Sequence, residues 1–508
     1  MRIIRVRTEI KLFLLLWLLY ALYATPAGGV QPNRYIDLTH SIVNEGRFEI
    51  DTYHDNTIDK VYVNGHYYIA ALPGPSIWAV PIYVVFKQIY PLMPSSLLAQ
   101  ANSIQSFKQG ELRERPFYRQ VDQIEFFLSQ FALTIFLVGA LSAVAGAVFY
   151  SFARLLGAAP MVSLLTSIAY AWGTHAFFFS TTFFEQVLTG SLAILVFYFI
   201  HFFVASRRTR VRDWFTLGCL AGLLLASEYF GAILIFFFFL YIAFHLRGSG
   251  ILFFCVGVVV PVLFFLLYNF IILGNPFDSP NFHLGEYFDF EKEGIAGMSY
   301  PRLERAIGVL FGNSRGLFIF APITLLGLAG IWVGLHSRQQ RAIAAFCALV
   351  FAAGLIYNAA FCCWDTASFG PKYFVPVLPF LILPLALVDW TTGVKRWLFG
   401  ATLGVSIFIN WLGAQFGFAE SVNQHIQELT TRGPTLAIFD AILMHSTTRT
   451  RLYLFAEQYH IVITLGATSA LLILFVIVFR NIWRPESYQR IDGIYRPNQV
   501  IPTKSVAK

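Results

Sequence analysis

Three carboxylates, Asp51, Asp55 and Asp59, fall within nine residues, with His54 among them and His66 a short way on. Acids crowded in this way can serve as a general base for a hydroxyl, or hold a divalent cation beside a phosphate. A hydrated loop surface is the plainer alternative. Asp51 closes the alternating stretch Arg47-Phe48-Glu49-Ile50, which reads as a short strand, and Asp59 precedes Lys60, a candidate surface ion pair. Asp59 and Asp51 are the two candidates for the base. Glu185 stands at the edge of an apolar run, where an acid at membrane depth is costly and usually functional. Glu228, in the turn Ser227-Glu228-Tyr229 between two short apolar runs, reads equally well as an exposed loop acid. Arg315 beside Gly316, and Lys372 between Pro371 and Tyr373, are cations at the margins of apolar runs. Such cations suit a phosphate, or simply reach for lipid headgroups. His54 and His66 read as loop polar residues rather than metal ligands, and the charged stretch Lys108–Arg119 as a solvated face.

The elements that must position these residues are membrane helices. Of 508 residues 57% are hydrophobic and 13% charged, against about 25% charged in a soluble domain. Mean hydropathy is +0.63. The 53 phenylalanines suit lipid-facing surfaces, and a deficit of charge this large points to lipid as the solvent. The net charge of +8 would fit a nucleic-acid partner, but the basic residues sit in short loops between apolar runs, which excludes that class. Spans are expected near 11–25, 124–153, 160–179, 184–205, 214–227, 230–246, 251–273, 314–335, 342–361, 372–390, 397–415 and 460–480. The pair 214–227 and 230–246 could form one bent element. The expected fold class is therefore an all-α polytopic membrane protein of about a dozen transmembrane helices with a large first outer loop.

Charge orients this arrangement. With the N-terminus inside, the inner loops collect Arg207, Arg208, Arg210, Arg212, Arg247, Arg338, Arg341, Lys395 and Arg396, and the tail adds six more from Arg480 to Lys508. The outer loops are then net acidic, as the positive-inside rule requires. Counting 77–93 as a span would invert every later loop. With Pro81, Lys87 and its short length, Ile77–Met93 reads as an interfacial helix. The division expected is a signal-anchor helix over 1–25, an outer loop with interfacial helices over 26–123, a helical bundle over 124–480 and a cytoplasmic tail over 481–508. A basic start followed by Leu12–Tyr23 has the look of a secretory signal, but the polytopic chain behind it favours an uncleaved anchor. Cys219, Cys255 and Cys347 fall in apolar runs and read as small buried residues, and the vicinal Cys362-Cys363 is not a CxxC motif. No internal repeat is evident.

The order of motifs resembles the GT-C glycosyltransferases, membrane enzymes that take sugar from a polyprenyl-phosphate carrier. The nearest branch is the bacterial group of protein-mannosyltransferases, aminoarabinose transferases and lipopolysaccharide-core glycosyltransferases. The residues that carry the resemblance are Arg34-Tyr35 near the start of the outer loop and Gly65-His66-Tyr67-Tyr68 leading to Pro73-Gly74. Trp172-Gly173-Thr174 with Ser180 to Glu185, and Tyr268-Asn269 with Gly274-Asn275-Pro276-Phe277, continue it. Asn313-Ser314-Arg315-Gly316 and Trp364-Asp365 with Phe369-Gly370-Pro371-Lys372-Tyr373 complete it, so that it covers about residues 10 to 390. Two departures stand out. Gln31-Pro32 occupies the place of an Asp-Glu found in aminoarabinose-type members, and Ala71 that of the lysine in a Lys-x-Pro element. The first moves the expected base to Asp59 or Asp51; the second leaves the phosphate to Arg34, Arg315 or Lys372.

The resemblance implies an inverting glycosyl transfer from a polyprenyl-phosphate-linked sugar to a glycan, lipid or protein hydroxyl on the outer face of the cell membrane. Both termini would be cytoplasmic and the setting a bacterial cell envelope. Asp59 and Asp51 would be catalytic, with Arg34, Tyr68, Glu185, Arg315 and Lys372 binding substrate. Relatives differ in their use of a divalent cation, and no ligand set stands out in the sequence. The competing classes are a transporter or flippase of lipid-linked substrate, against which the absence of a hydropathy repeat weighs, and a non-catalytic scaffold of a polysaccharide system.

Overall fold

A backbone in lipid must satisfy its own hydrogen bonds, so long apolar runs fold as helices. The computed structural model describes residues 7–24, 30–96, 98–99, 123–246, 248–283, 293–295, 297–312, 315–365, 368–416 and 460–482. The stretch 108–119, the loop 416–459 beyond its first residue and the tail from 483 lie outside the described residues. Helical segments fall on every span expected from the sequence. Five are long and apolar enough to cross a bilayer: Ile124–Leu155, Glu185–Ala205, Gly250–Leu273, Arg341–Ala360 and Gly393–Ala414. Five apolar helices are shorter: Pro160–Ala171, Phe230–His245, Ile323–His336, Lys372–Leu387 and Leu465–Phe479. Exposed Leu, Val and Phe side chains run along Gly250–Leu273, as on a helix facing lipid. The protein is an integral membrane protein.

Two expectations are corrected. Segments 214–227 and 230–246 are not one bent element. Val211–Ser227 and Phe230–His245 are separate helices that meet at Glu228-Tyr229. The expected regular span over 372–390 is broken, because Pro376, Pro379 and Pro384 each remove a backbone donor. It runs instead as a 3-10 turn Lys372–Val377, an α turn Leu378–Ile382 and a second 3-10 stretch Leu383–Leu387. Every residue from 374 to 388 is buried, so this irregular backbone is a pillar enclosed by helices rather than lipid. Gly327 and Gly330 admit it. A Cβ at either would collide with the carbonyl of Leu381 or Pro384.

Ahead of residue 124 the chain builds a cap. Helix Val30–Glu45 packs against helix Gly74–Ile89, which covers most of the expected 77–93 interfacial helix and is followed by a 3-10 turn, Tyr90–Leu92. The latter helix buries Ala79, Tyr83 and Phe86 and exposes Val84, Val85 and Ile89. Between the two helices in the chain lies an antiparallel hairpin, Lys60–Val63 with His66–Ile69, paired Lys60 to Ile69 through Val63 to His66. Its two-residue turn is Asn64-Gly65, with φ of 53° and 90°, the left-handed pair that a tight hairpin requires. None of the five cysteines is in a disulfide.

Candidate active site

The hairpin fixes Asp59 against the first cap helix. The Ala70 amide donates to Asp59 O at 3.0 Å, and the Asp59 amide donates to Thr57 Oγ1 at 3.0 Å. Thr57 in turn donates to Val30 O at 2.7 Å. Asn33 Nδ2 donates to Asn56 O at 2.8 Å, and Asn56 Nδ2 to Asp37 Oδ1 at 3.0 Å. Two amides and a hydroxyl therefore tie the 56–59 turn to Val30–Glu45, so the Asp59 carboxylate stands at a defined point.

At that point four charged side chains from distant parts of the chain converge. Arg34 Nη1 donates to Asp59 Oδ2 at 3.2 Å and to Ala70 O at 3.1 Å. Its Nη2 reaches Glu185 Oε1 at 3.0 Å and the Tyr35 hydroxyl at 3.2 Å. One guanidinium fork thus holds both acids. Gln31 bridges the other side, Nε2 donating to Glu185 Oε1 at 2.7 Å while its Oε1 accepts from Lys372 Nζ at 2.8 Å. Lys372 Nζ also lies 4.6 Å from the centroid of the neighbouring Tyr373 ring. The local folds explain the placement. Glu185 opens the Glu185–Ala205 helix, whose N-terminal dipole favours an anion. Lys372 heads the proline-broken pillar. Ser227, at the end of Val211–Ser227, closes the same side, and Gly74 lets the cap helix sit directly on the backbone of Ala226, where any Cβ would collide.

Electrostatics favour a site poised between states. Burial pushes the Asp59 carboxyl above the usual carboxylate range, and Glu185 adds to this while Arg34 and Lys372 oppose it. Burial works against the charge on Arg34, but Tyr35, Glu185 and Asp59 outweigh it and hold the guanidinium firmly protonated. Buried ions of both signs this close together are costly to assemble and contribute no stability that an apolar cluster would not provide.

Of the residues nominated from sequence, Arg34, Asp59, Glu185 and Lys372 come together, and Arg315 lies near enough to act electrostatically on Lys372. Arg315 is buried, and its Nε and Nη1 have no hydrogen-bond partner among the described residues. Asp51 and Tyr68 lie elsewhere. Asp51 accepts from His66 Nδ1 at 2.7 Å and from the Tyr67 amide at 2.7 Å, clamping the hairpin at a partly exposed position. That net of bonds, against a modest burial penalty, holds its carboxyl below the usual range. Tyr68 packs with Val61, Ala70, Tyr268 and Ile272, and its hydroxyl faces Glu49 at 3.4 Å. His54 accompanies Lys60 and Asp55, so Lys60 does not pair with Asp59. Sequence reasoning passed over Gln31, which stood out only as a departure; of the two readings left open for Glu228, burial removes the exposed loop acid. Among the described residues no group of three or more His, Cys, Asp or Glu side chains is placed to hold a metal ion.

No family model and no curated protein matches the sequence. Among solved structures, the chain is similar to ArnT from Cupriavidus metallidurans bound to undecaprenyl phosphate, at 11% identity and a TM-score of 0.47, over 93% of this chain and 76% of that one. It is similar as well to ArnT from the same organism in the apo state, at 14% identity and a TM-score of 0.47, over 93% of this chain and 72% of the other.

Proposed function

We propose that the protein is a membrane glycosyltransferase that moves a sugar from a polyprenyl-phosphate donor to a hydroxyl acceptor on the outer face of the membrane. The observation that carries this reading is the convergence of Arg34, Asp59, Glu185 and Lys372 at one end of the helices. The motif order shared with the GT-C glycosyltransferases supports it. Lys372 and Arg315 take the donor phosphate, which leaves with the electrons of the bond to the anomeric carbon. Asp59 accepts the proton of the acceptor hydroxyl as its oxygen attacks that carbon from the opposite side. Asp59 must first part from Arg34, and an incoming phosphate supplies a competing anion for that guanidinium.

The test is transfer of radiolabelled sugar from polyprenyl-phosphate donors to membrane acceptors by purified protein. Asp59→Asn should lower transfer by on the order of 10²- to 10⁴-fold, with the variant still folded. Asp51→Asn loses only a partly exposed pair, worth less than about 1 kcal/mol, and should stay within about tenfold of wild type. The reverse pattern would assign the base to Asp51. Donor binding without transfer by wild type would favour a flippase or scaffold.

A further inference from the structure

The acid that the four-residue cluster leaves unused is Glu228. It joins Val211–Ser227 to Phe230–His245, is 7% exposed, and adjoins Ser227, which is 1% exposed. The cap helix is seated on this turn through Gly74. The charges that act on Glu228 are Glu185 and Lys372, and Tyr357 faces it from Arg341–Ala360. Among the described residues neither of its carboxylate oxygens has a hydrogen-bond partner at ordinary geometry, although the Thr189 hydroxyl is near enough to favour its charged form. The Thr189 hydroxyl beside it is engaged elsewhere, 3.0 Å from both Glu185 O and Ser227 Oγ. Burial makes a carboxylate held this loosely expensive.

The buried atoms without partners on the charged residues of this cluster and on Gln186, among the described residues, sort by chemistry. Nε and Nη1 of Arg315 and Nε of Arg34 are donors. Both oxygens of Glu228, Oε2 of Glu185 and Oε1 of Gln186 are acceptors. A ligand that satisfies both sets accepts hydrogen bonds at one end and donates them at the other. A sugar phosphate has that pattern, with phosphate oxygens for the guanidinium and ring hydroxyls for the carboxylate. A cation shared by Glu185 and Glu228 fits less well, because it would leave the Arg315 Nε and Nη1 donors unsatisfied.

We propose that Glu228 determines specificity for the donor sugar, accepting hydrogen bonds from two neighbouring ring hydroxyls while Lys372 and Arg315 hold the phosphate. This rests on the glycosyltransferase reading and extends it to a residue outside the charged cluster. The step is recognition, with no bond made or broken at Glu228.

The experiment compares wild type, Glu228→Gln and Glu228→Asp in the transfer assay, with sugar-free undecaprenyl phosphate as a competing ligand. Glu228→Gln should raise KM for the donor about 10- to 100-fold, the loss of charge-assisted hydrogen bonds. Inhibition by the sugar-free lipid phosphate should not change, and Glu228→Asp should recover part of the loss. Thermal stability of Glu228→Gln should equal or exceed wild type, since an amide of the same shape replaces a carboxyl that burial already disfavours as an anion. A Glu228→Gln enzyme with wild-type KM, or one that loses donor and sugar-free lipid equally, overturns the assignment. So does a fall in stability, or Mn2+ binding by wild type that the variant lacks. Transfer by wild type with an unaffected variant sinks this inference alone. Absence of transfer from any donor sinks the glycosyltransferase reading and this inference with it.

Discussion

Arg34 is the residue on which the site turns, since a single guanidinium pairs with both Asp59 and Glu185, at 3.2 and 3.0 Å. Removing it leaves the half-buried Asp59 without its charged partner and Glu185 with the Gln31 and Gln186 amides alone, a loss below the roughly 3–5 kcal/mol of a fully buried pair. The pH dependence has a definite sign. Asp59 works as a base only when ionised, its carboxyl is raised by burial, and Arg34 is the first of the groups that hold it down. The acid limb of the transfer profile should therefore lie above about pH 4, the ordinary carboxylate value. In Arg34→Gln that limb should move further up, measured as kcat/KM against pH; a limb that stays put would show that Asp59 is not the titrating group. Glu185 and Lys372 stood out by residue type at the margins of apolar runs, Asp59 by its crowding with Asp51 and Asp55, and Arg34 only through the resemblance. Gln31 was not, because an uncharged amide carries no signal until its two partners are known. Glu228 was left open between a functional and an exposed loop acid, because nothing in Ser227-Glu228-Tyr229 reveals that a helix from far earlier in the chain roofs the turn.

At the scale of elements, the cap is joined to the bundle by very close backbone approach. Gly74→Ala would drive a methyl into the Ala226 carbonyl and should cost about 1–3 kcal/mol as overpacking. The thermal midpoint of the detergent-solubilised protein would fall, and donor affinity with it, because the same contact seats Glu228. Loss of stability without loss of affinity would separate the two. Helices were legible wherever apolar runs were long; the hairpin at Asn64-Gly65 departs from the all-α expectation, its turn residues going unread beside so much helical signal. The break in 372–390 was visible in three prolines, yet hydropathy averages over them. Asp51 follows a strand-like alternation that forms no strand, and it acts instead as a clamp on the hairpin through His66.

For the whole molecule, the arginine-rich loops predict that the cap and the site lie on the outer side. In a background lacking the five native cysteines, a membrane-impermeant thiol reagent should label Thr52→Cys on intact cells. It should reach Arg210→Cys only after lysis, both positions being exposed in the fold. Opposite labelling would invert the arrangement. The pillar that begins at Lys372 has a consequence for genetics. Its backbone is irregular, enclosed, and seated against Gly327 and Gly330 by direct contact. A side chain added at either glycine must displace the pillar, and the ammonium at its head moves with it. A selection for inactive yet membrane-inserted alleles should therefore recover changes at these two apolar positions alongside those in the polar site, and such alleles should show weakened hold on the lipid phosphate rather than mere misfolding.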